Sequence, residues 1–412
     1  MPRLCCRVAS LALLALLLLP AIAAADTVRE GTSPGGGFYR IMVPDGWNGD
    51  LVIWNHGFDL DVPGPVTDMG PLVELQLAQG FAVAASSYRL PGWAVFKTDK
   101  DLKAMVNAFV GELGPPQRIL VYGASLGGIV TARAIERARL GNVVGALTYC
   151  GAMAGSRNWD AAIDLRLLYD WVCRDVPAAA IPGGGEGLPK NSSFSQRDLE
   201  EAVNACTGVL RKKAQRTPAQ KQRLAALLDA TGLPEGFVLT SMAYATFGMS
   251  DLIHDRRKLR GKQGPGNADV DYGDAAIDAG IERVTPHKGG ARKLRKSYTP
   301  KGGVGSVKIV AMHTDQDGLV LVENESMYAS VVPPANLTVA VAVEKRPSHC
   351  GFTPAEALAG WESLLDWVDG APQPGAADIQ RSCQELMLIL PGPCRIDPEF
   401  VLPDADGRIR PR

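Results

Sequence analysis

Short apolar runs alternate with segments of helical spacing along the first part of the chain. Five apolar runs of strand length are bounded by turn residues: "FYRIMVP", "DLVIWNHG", "FAVAASSY", "RILVYG" and "VVGALTYC". Three segments of helical spacing lie between them: "PLVELQLAQG", "DKDLKAMVNAFVGELG" and the segment from Gly127 to about Leu140. Strands that alternate with helices predict a parallel sheet covered on both faces, and therefore an α/β fold.

This alternation stops at about Ala154 and returns after Gly303. The segment between them is predicted to form helices joined by polar loops. One of these helices is well marked, because "TPAQ" from Thr217 supplies an N-cap, a first-turn proline and a capping-box partner. After the segment, the strand "SVKIVAMH", a helix from about Val322, the strand "NLTVAVAV" and the helix "PAEALAGWESLLDWVDG" restore the pattern. The sequence therefore predicts one α/β domain with a mainly helical insert.

The N-terminus has the layout of a secretory signal. Arg3 and Arg7 precede an apolar run from Val8 to Leu19, and Pro20 and a small-residue triplet ending at Ala25 follow. We predict cleavage after Ala25, a secreted or periplasmic protein, and no integral membrane segment after cleavage. The alternative is an uncleaved anchor, which the helix-breaking proline and the small residues disfavour.

Six cysteines remain after the predicted cleavage, an even number in an exported chain, so disulfides are expected. These residues are Cys150, Cys173, Cys206, Cys350, Cys383 and Cys394. Cys173 and Cys206 lie in the insert, and Cys383 and Cys394 bracket a short Pro/Gly turn. Their spacing does not suggest a zinc site.

Charge gives little guidance about partners. The chain has 43 Lys and Arg against 44 Asp and Glu, a formal net charge of −1, so nucleic acid is not an expected partner. Residues 255–301 are an exception, with 12 basic against six acidic residues. We interpret this stretch as a solvated face or loop of the insert.

The stretch "VYGASLGG" places one serine among glycines where a strand ends and a helix begins. Gly123, Ser125 and Gly127 match G-x-S-x-G, the nucleophile elbow, in which a sharp turn exposes the serine hydroxyl. The following helix N-terminus offers backbone N–H groups to an oxyanion. Phosphate binding is the rival use of such a turn, but no Lys-Ser/Thr pair follows Gly128 and the spacing of the glycines is not G-x-G-x-x-G, so no cofactor is expected.

A serine nucleophile needs a base, and the chain has five histidines. The order of an elbow-type triad is serine, acid, histidine. Only His349, in the loop after the last predicted strand, satisfies both the order and the location. The acid is expected after the preceding strand, where "HTDQDGLVLVENE" offers Asp315 and Asp317. These residues alone do not decide between the two aspartates.

With "NHGF", "GASLGG", "HTDQDGLV" and "SHCGFTPAE" in this order, the chain resembles the secreted serine esterases of the α/β-hydrolase fold. The resemblance implies a helical cap between the sixth and seventh strands, places the triad acid on Asp317, and implies that the backbone N–H groups of Phe58 and Leu126 form the oxyanion hole. Together with the signal and the break in the strand–helix alternation, it divides the chain into five segments: signal peptide 1–25, core 26–153, cap 154–303, core 304–370, and a C-terminal extension 371–412 that lies outside the common fold and carries a disulfide.

These features predict a carboxylic ester hydrolase that acts on a small-molecule or polymeric ester through an acyl-enzyme on Ser125. Two alternatives remain: a peptidase or aminopeptidase of the same fold, and a non-catalytic protein that binds envelope material. Acyl and alcohol specificity and oligomeric state are left open. Four aromatic residues could line the substrate pocket or only pack the cap: Trp93, Trp159, Tyr169 and Trp171.

A third disulfide, Cys150 with Cys350, would hold the His349 loop near Ser125. Both cysteines are expected at the carboxyl edge of the sheet, where an open α/β fold gathers its active-site loops. Their strands should be separated by one intervening strand, which is farther than a disulfide normally spans. The bridge therefore requires the His349 loop to lean back toward the nucleophile.

Overall fold

The structure, a computed structural model, describes residues 27–66 and 68–405, so the predicted signal peptide lies outside the described residues. Nine strands of the described part form one sheet. They are β1 Thr27–Thr32, β2 Phe38–Val43, β3 Leu51–Asn55, β4 Ala82–Ser86, β5 Ile119–Ala124, β6 Val143–Tyr149, β7 Lys308–Thr314, β8 Leu337–Ala342 and β9 Ile396–Asp397. Their spatial order is β1-β2-β4-β3-β5-β6-β7-β8-β9.

The six strands from β3 to β8 are parallel, and the strands at both edges are antiparallel. All seven strands predicted from apolar runs are present. The structure adds β1 and β9, which the apolar pattern did not reveal. Strand β1 is mostly exposed and polar, and β9 has only two residues, so neither carries a buried apolar run.

Helices cover both faces of the sheet. The helices are α1 Val73–Ala78, α2 Thr98–Leu113, α3 Leu126–Arg133, α4 Arg157–Val172, α5 Gln196–Thr207, α6 Pro218–Thr231, α7 Val238–Ala243, α8 Met249–His254, α9 Ala275–Gly280, α10 Lys288–Ser297, α11 Glu323–Ala329, α12 Pro354–Val368 and α13 Ala376–Leu386. Wider π-helical turns, Ala134–Ala138 and Tyr244–Gly248, extend α3 and α7.

Successive side chains of a strand point to opposite faces of the sheet, so each buried strand contributes to two apolar cores. Leu51 and Ile53 of β3 face the core that includes α2, α3 and the insert. Val52 and Trp54 face the opposite core, which α1, α12 and α13 complete. Burial on both faces explains why these strands are continuously apolar rather than alternating.

Helices α4 to α10 lie between β6 and β7 and form the insert, which we call the cap. The predicted start of α6 is present, since Thr217 and Gln220 form a reciprocal capping box and Gly232 ends the helix at φ 64°. Strand order, the serine turn between β5 and α3 and the mainly helical cap identify the α/β-hydrolase fold.

The C-terminal extension continues the sheet. Helix α13 packs on α12, and β9 pairs with β8 at the sheet edge. Arg395, just before β9, bonds the carboxylate of Glu356 through Nε at 3.0 Å and the carbonyl oxygen of Gly351 through Nη2 at 2.5 Å. The resemblance placed this extension outside the common fold, yet its contacts fix the loop that carries His349.

Three disulfides join the six cysteines in the predicted pairs. Cys150–Cys350, Cys173–Cys206 and Cys383–Cys394 have Cα separations of 5.4, 5.7 and 5.8 Å. The second joins the residue directly after α4 to α5 within the cap, and the third joins α13 to the segment before β9. Within residues 27–66 and 68–405, no helix has the length and apolar character needed to cross a membrane.

Candidate active site

Ser125 lies at a strained turn between β5 and α3. Its backbone has φ 57° and ψ −122°, a conformation that residues other than glycine rarely adopt and that tends to occur at functional sites. Its N–H donates to the carbonyl oxygen of Tyr149 at 2.9 Å. A Cβ on Gly127 would overlap the carbonyl oxygen of Asn55, so only glycine fits there. The close approach of strand and helix thus requires the glycine that follows the serine.

The backbone N–H groups of Phe58 and Leu126 lie near Ser125 and have no hydrogen-bond acceptor within the described part of the chain. Leu126 is the first residue of α3, where helix geometry leaves the N–H unpaired and the helix dipole favours negative charge. Phe58 is fixed by its ring, which packs edge-on against Tyr244 of the cap at 5.4 Å. Both residues line the cavity that Ser125 lines, as an oxyanion hole requires.

His349 is paired with Asp317. Its Nδ1 lies 2.6 Å from Oδ2 of Asp317, whose side chain is completely buried. The other carboxylate oxygen, Oδ1, accepts hydrogen bonds from the backbone N–H groups of Leu319 at 2.9 Å and Val320 at 3.0 Å. These bonds stabilise the ionised carboxylate and orient the imidazole.

Asp315 has a different partner. Its Oδ1 accepts a hydrogen bond from the backbone N–H of Glu344 at 2.7 Å, which joins the loops after β7 and β8. The structure therefore brings Asp317, and not Asp315, to His349. Ser125 and His349 line one cavity without a direct hydrogen bond between their side chains in the described residues. Such bonds are often long before substrate is bound.

His313 supports the loop that carries Asp317. It is completely buried at the end of β7, with Nδ1 3.0 Å from Oε1 of Glu325 and Nε2 2.8 Å from the carbonyl oxygen of Val320. Burial alone would lower the pKa of His313, but the Glu325 carboxylate outweighs it, so that the pKa is raised. Because both ring nitrogens face acceptors, the protonated imidazolium fits the site, and the Val320 backbone is held between His313 and Asp317.

The other three histidines lie outside this arrangement, as the chain order predicts. His56 is stacked on Tyr88, with ring centroids 4.2 Å apart, and burial lowers its pKa. His254 ends α8, and His287 caps α10 by accepting a hydrogen bond from the backbone N–H of Gly289 at 3.0 Å. None of the three lines the cavity at Ser125.

The cavity at Ser125 has a volume of about 500 Å³, and its walls are mainly apolar. The core contributes Phe58, Leu60 and Leu126, and the loop after β7 contributes Leu319 and Val320. The cap closes the cavity from above, and its lining residues are Asn158, Gln196, Thr240, Ala243, Tyr244, Phe247 and Gly248. No Asp, Glu, Lys or Arg side chain is among the lining residues described.

Of the four aromatic residues proposed from the sequence, Trp93 alone lines this cavity. Trp159 lies behind the wall, stacked on Tyr244 at 4.5 Å. Tyr169 is buried inside the cap, where its hydroxyl donates to the carbonyl oxygen of Ala179 at 2.9 Å, and Trp171 packs beneath Arg174. Trp159, Tyr169 and Trp171 therefore pack the cap and do not line the cavity. Sequence reasoning missed Tyr244 and Phe247, whose only signal was a short aromatic-containing run, "YATF".

The Cys150–Cys350 disulfide lies against the His349–Asp317 pair. The Sγ of Cys350 is 3.8 Å from Nε2 of His349, and the backbone N–H of Cys350 donates to Oδ2 of Asp317 at 3.4 Å. Both cysteines have positive φ, 43° and 53°, and their Cα atoms lie 5.4 Å apart, so the His349 loop does lean back toward the end of β6. Potential metal-ligand atoms of Cys150, Cys350, Asp317 and His349 cluster here, but the two sulfurs are bonded to each other.

Comparisons with known proteins leave the family of this chain open. No family model matches the chain. A segment of 116 residues is 33% identical to an o-phthalyl amidase from Xanthobacter agilis, and this match spans 27% of the chain and 24% of the relative. Solved structures with similarity include Candida antarctica lipase A (11% identity, 95% of this chain and 89% of the other, TM-score 0.43). An esterase from Rhodococcus sp. is also similar, with 17% identity over 83% of this chain and 98% of the other and a TM-score of 0.37.

Proposed function

We propose that the protein is a serine hydrolase that cleaves carboxylic esters with Ser125, Asp317 and His349 as its catalytic triad. The observation that carries this proposal is the 2.6 Å contact between Nδ1 of His349 and the buried Asp317 carboxylate, in a cavity that Ser125 also lines. This contact leaves Nε2 of His349 as the proton acceptor for a serine hydroxyl.

The reaction follows from these positions. Ser125 Oγ attacks the ester carbonyl carbon while His349 Nε2 accepts the hydroxyl proton, and the oxyanion receives hydrogen bonds from the N–H groups of Leu126 and Phe58. The imidazolium of His349, stabilised by Asp317, then protonates the departing alcohol. Water, deprotonated by His349, attacks the acyl-enzyme and releases the acid, which restores the Ser125 hydroxyl.

The cavity walls favour a neutral, apolar acyl or aromatic group. A volume of about 500 Å³ lies within the range of small-molecule sites, about 300–1,000 Å³. An aminopeptidase must bind the ammonium group of its substrate, and the described lining offers no carboxylate to pair with it. The charge of the cavity therefore favours an ester hydrolase over the aminopeptidase alternative.

Amide hydrolysis is the second candidate, because one partial relative is named an amidase. The two candidates can be compared with p-nitrophenyl acetate, butyrate and octanoate against the p-nitroanilides of the same acids. We expect ester kcat/KM to exceed anilide kcat/KM for each acyl group. Faster cleavage of the anilides would assign the protein to amide substrates, and no hydrolysis of either series would contradict the proposal and favour a non-catalytic binding protein.

We also propose a secreted or periplasmic location. Disulfides persist in oxidising compartments, and three are present here. Expression with and without residues 1–25, followed by fractionation of the host, tests this location. We expect the full chain to be exported and shortened after Ala25, and the truncated chain to remain in the cytoplasm.

Removing the Cys150–Cys350 disulfide should impair catalysis more than binding. The double variant Cys150→Ser/Cys350→Ser frees the His349 loop, and misplacing a catalytic group by about 1 Å can lower the rate about a hundredfold. We expect kcat on p-nitrophenyl butyrate to fall by about tenfold to a hundredfold, with a smaller change in KM. Circular dichroism at the assay temperature checks that the variant is folded.

The matched control is Cys173→Ser/Cys206→Ser, which removes the disulfide within the cap. This variant also loses one disulfide, but it keeps the Cys150–Cys350 disulfide that holds the His349 loop. An equal fall in kcat for both double variants would show that the effect comes from general destabilisation rather than from the position of His349.

A further inference from the structure

We infer that a second cavity, between the cap and the core, binds an anion that carries several phosphate groups. Its volume is about 480 Å³, and eight of its ten lining residues are Lys or Arg. The core contributes Lys97, Arg133 and Arg137. The cap contributes Arg256, Arg257, Arg260, Lys293 and Lys296. No acidic side chain is among the lining residues described, although the chain as a whole is nearly neutral.

Two of these eight cations have a carboxylate partner. Arg133 pairs with Asp99 at 3.1 Å, and Arg257 pairs with Asp255 at 3.0 Å. Within the described residues, the other six form no ion pair. Like charges brought this close repel one another, so a cluster in which six of eight cations lack a carboxylate partner favours a bound anion.

Three of the six cations without an ion pair are instead held by backbone carbonyl oxygens. Nη1 of Arg137 donates to the backbone carbonyl oxygen of Lys296 at 3.1 Å. Nε of Arg260 donates to the backbone carbonyl oxygen of Arg256 at 2.8 Å. Lys293 bonds the carbonyl oxygen of Lys258 and lies over the Phe96 ring. These bonds position the cations without neutralising them. In agreement with an unneutralised cluster, the pKa of Lys293 is lowered, first by burial and then by Arg260 and Lys97.

Arg133 supplies the buried end of the cluster. Its side chain is 8% exposed, and its Nε has no hydrogen-bond partner within the described part of the chain. Its Nη1 bonds the carbonyl oxygen of Ser297 and its Nη2 pairs with Asp99, so the guanidinium is held in place at the wall of the cavity. The convergence of core and cap cations on one cavity distinguishes it from a solvated basic face, which is what the composition of residues 255–301 predicted.

The lining chemistry selects phosphate groups. Five arginines offer planar pairs of N–H donors that match phosphate oxygens, and three lysines add compact charges. The volume exceeds the share of one water molecule in the liquid, about 30 Å³, by more than tenfold, which leaves room for linked phosphates. A ligand here would contact both core and cap.

The segment around the short helix Ala94–Phe96 separates the two cavities, because Trp93 lines the one at Ser125 while Phe96 and Lys97 line this one.

The test uses sodium tripolyphosphate and orthophosphate as probes in isothermal titration calorimetry of the disulfide-bonded protein. The variant Lys97→Gln/Lys296→Gln removes two cations whose side chains form no ion pair within the described chain, so the fold should be retained. The control Lys212→Gln/Lys221→Gln removes the same charge from exposed positions of the cap outside the cavity. Thermal unfolding of all three proteins verifies that they are equally folded.

We expect saturable 1:1 binding of tripolyphosphate to the wild type and weaker binding of orthophosphate. Each lost charge-assisted contact should weaken binding by about tenfold, so the cavity variant should lose about a hundredfold and the control less than twofold. Absence of saturable binding, or equal weakening in both variants, would overturn the inference. Co-sedimentation with phosphatidic acid vesicles that depends on Lys97 and Lys296 would place the phosphates on a lipid, and its absence would assign a soluble anion.

Discussion

Replacement of Ser125 by alanine should abolish ester hydrolysis while the protein remains folded. The substitution removes one hydroxyl and keeps a Cβ, so the strained backbone at φ 57° is no worse accommodated than in the wild type. Loss of one triad member costs about as much as loss of the whole unit, on the order of 10⁶ in kcat in a well-studied serine protease. Initial rates with p-nitrophenyl butyrate and labelling by a fluorophosphonate probe measure this effect.

The matched control is Ser330→Ala, which removes a hydroxyl from an exposed residue just after α11. It should keep full rate and full labelling. His349→Ala should resemble Ser125→Ala in rate, because the serine hydroxyl then lacks a base. Substantial turnover in Ser125→Ala or His349→Ala would show that the nucleophile or base has been assigned to the wrong residue.

The sheet could be predicted from the sequence because its strands are buried on both faces. In β3 all five positions are buried and the first four are apolar, and this pattern does not depend on the rest of the fold. The edge strands gave no such signal. Strand β9 exists because Arg395 and helix α13 bring a two-residue segment to the edge of β8, and these contacts are visible only after folding.

The serine turn was also predictable, because its glycines are required by local geometry at Asn55. The walls of the cavity were not. Tyr244 and Phe247 reach the cavity because of how the cap packs on the core, whereas Trp159 and Tyr169, equally aromatic, are buried within the cap. Helical spacing identifies an apolar face but not the element that will cover it.

The basic cavity shows the same limit. Its cap residues come from a stretch whose composition was visible in the sequence, and the charge excess alone indicated a solvated face. Lys97, Arg133 and Arg137 are distant in sequence and meet these residues only in the folded chain. Composition can therefore detect an excess of charge, but the convergence that makes it a binding site is tertiary.

Asp315 and Asp317 are only two positions apart, and the sequence alone did not show which of them pairs with His349. Both aspartates lie in the turn after β7, and either could face the loop after β8. Asp315 bonds the backbone of Glu344 at the start of that loop, while Asp317 is buried beneath His349. Arg395 bonds Glu344 at 3.3 Å and Gly351, and so fixes both ends of the loop in the register that places His349 over Asp317.

Asp317→Asn should lower kcat by about 10⁴ at neutral pH, the loss seen when the triad aspartate of a serine protease is replaced by asparagine. In this protein the reason is specific. The oxygen that accepts hydrogen bonds from Leu319 and Val320 must remain an acceptor, so the new amide NH₂ has to face Nδ1 of His349. The amide then stabilises the His349 tautomer that carries its proton on Nε2. In that tautomer Nε2 cannot accept a proton from Ser125.

Asp315→Asn is the matched control, because its amide oxygen can still accept the hydrogen bond from Glu344. We expect its kcat to stay within about twofold of the wild type, since neutral hydrogen bonds differ from charged ones by about 1 kcal/mol and the acceptor is retained. Rates with p-nitrophenyl butyrate, measured on variants with equal unfolding temperatures, decide between the two aspartates. If Asp315→Asn were crippled and Asp317→Asn active, the triad acid would be Asp315, and the contact of His349 with Asp317 would serve only to hold the loop.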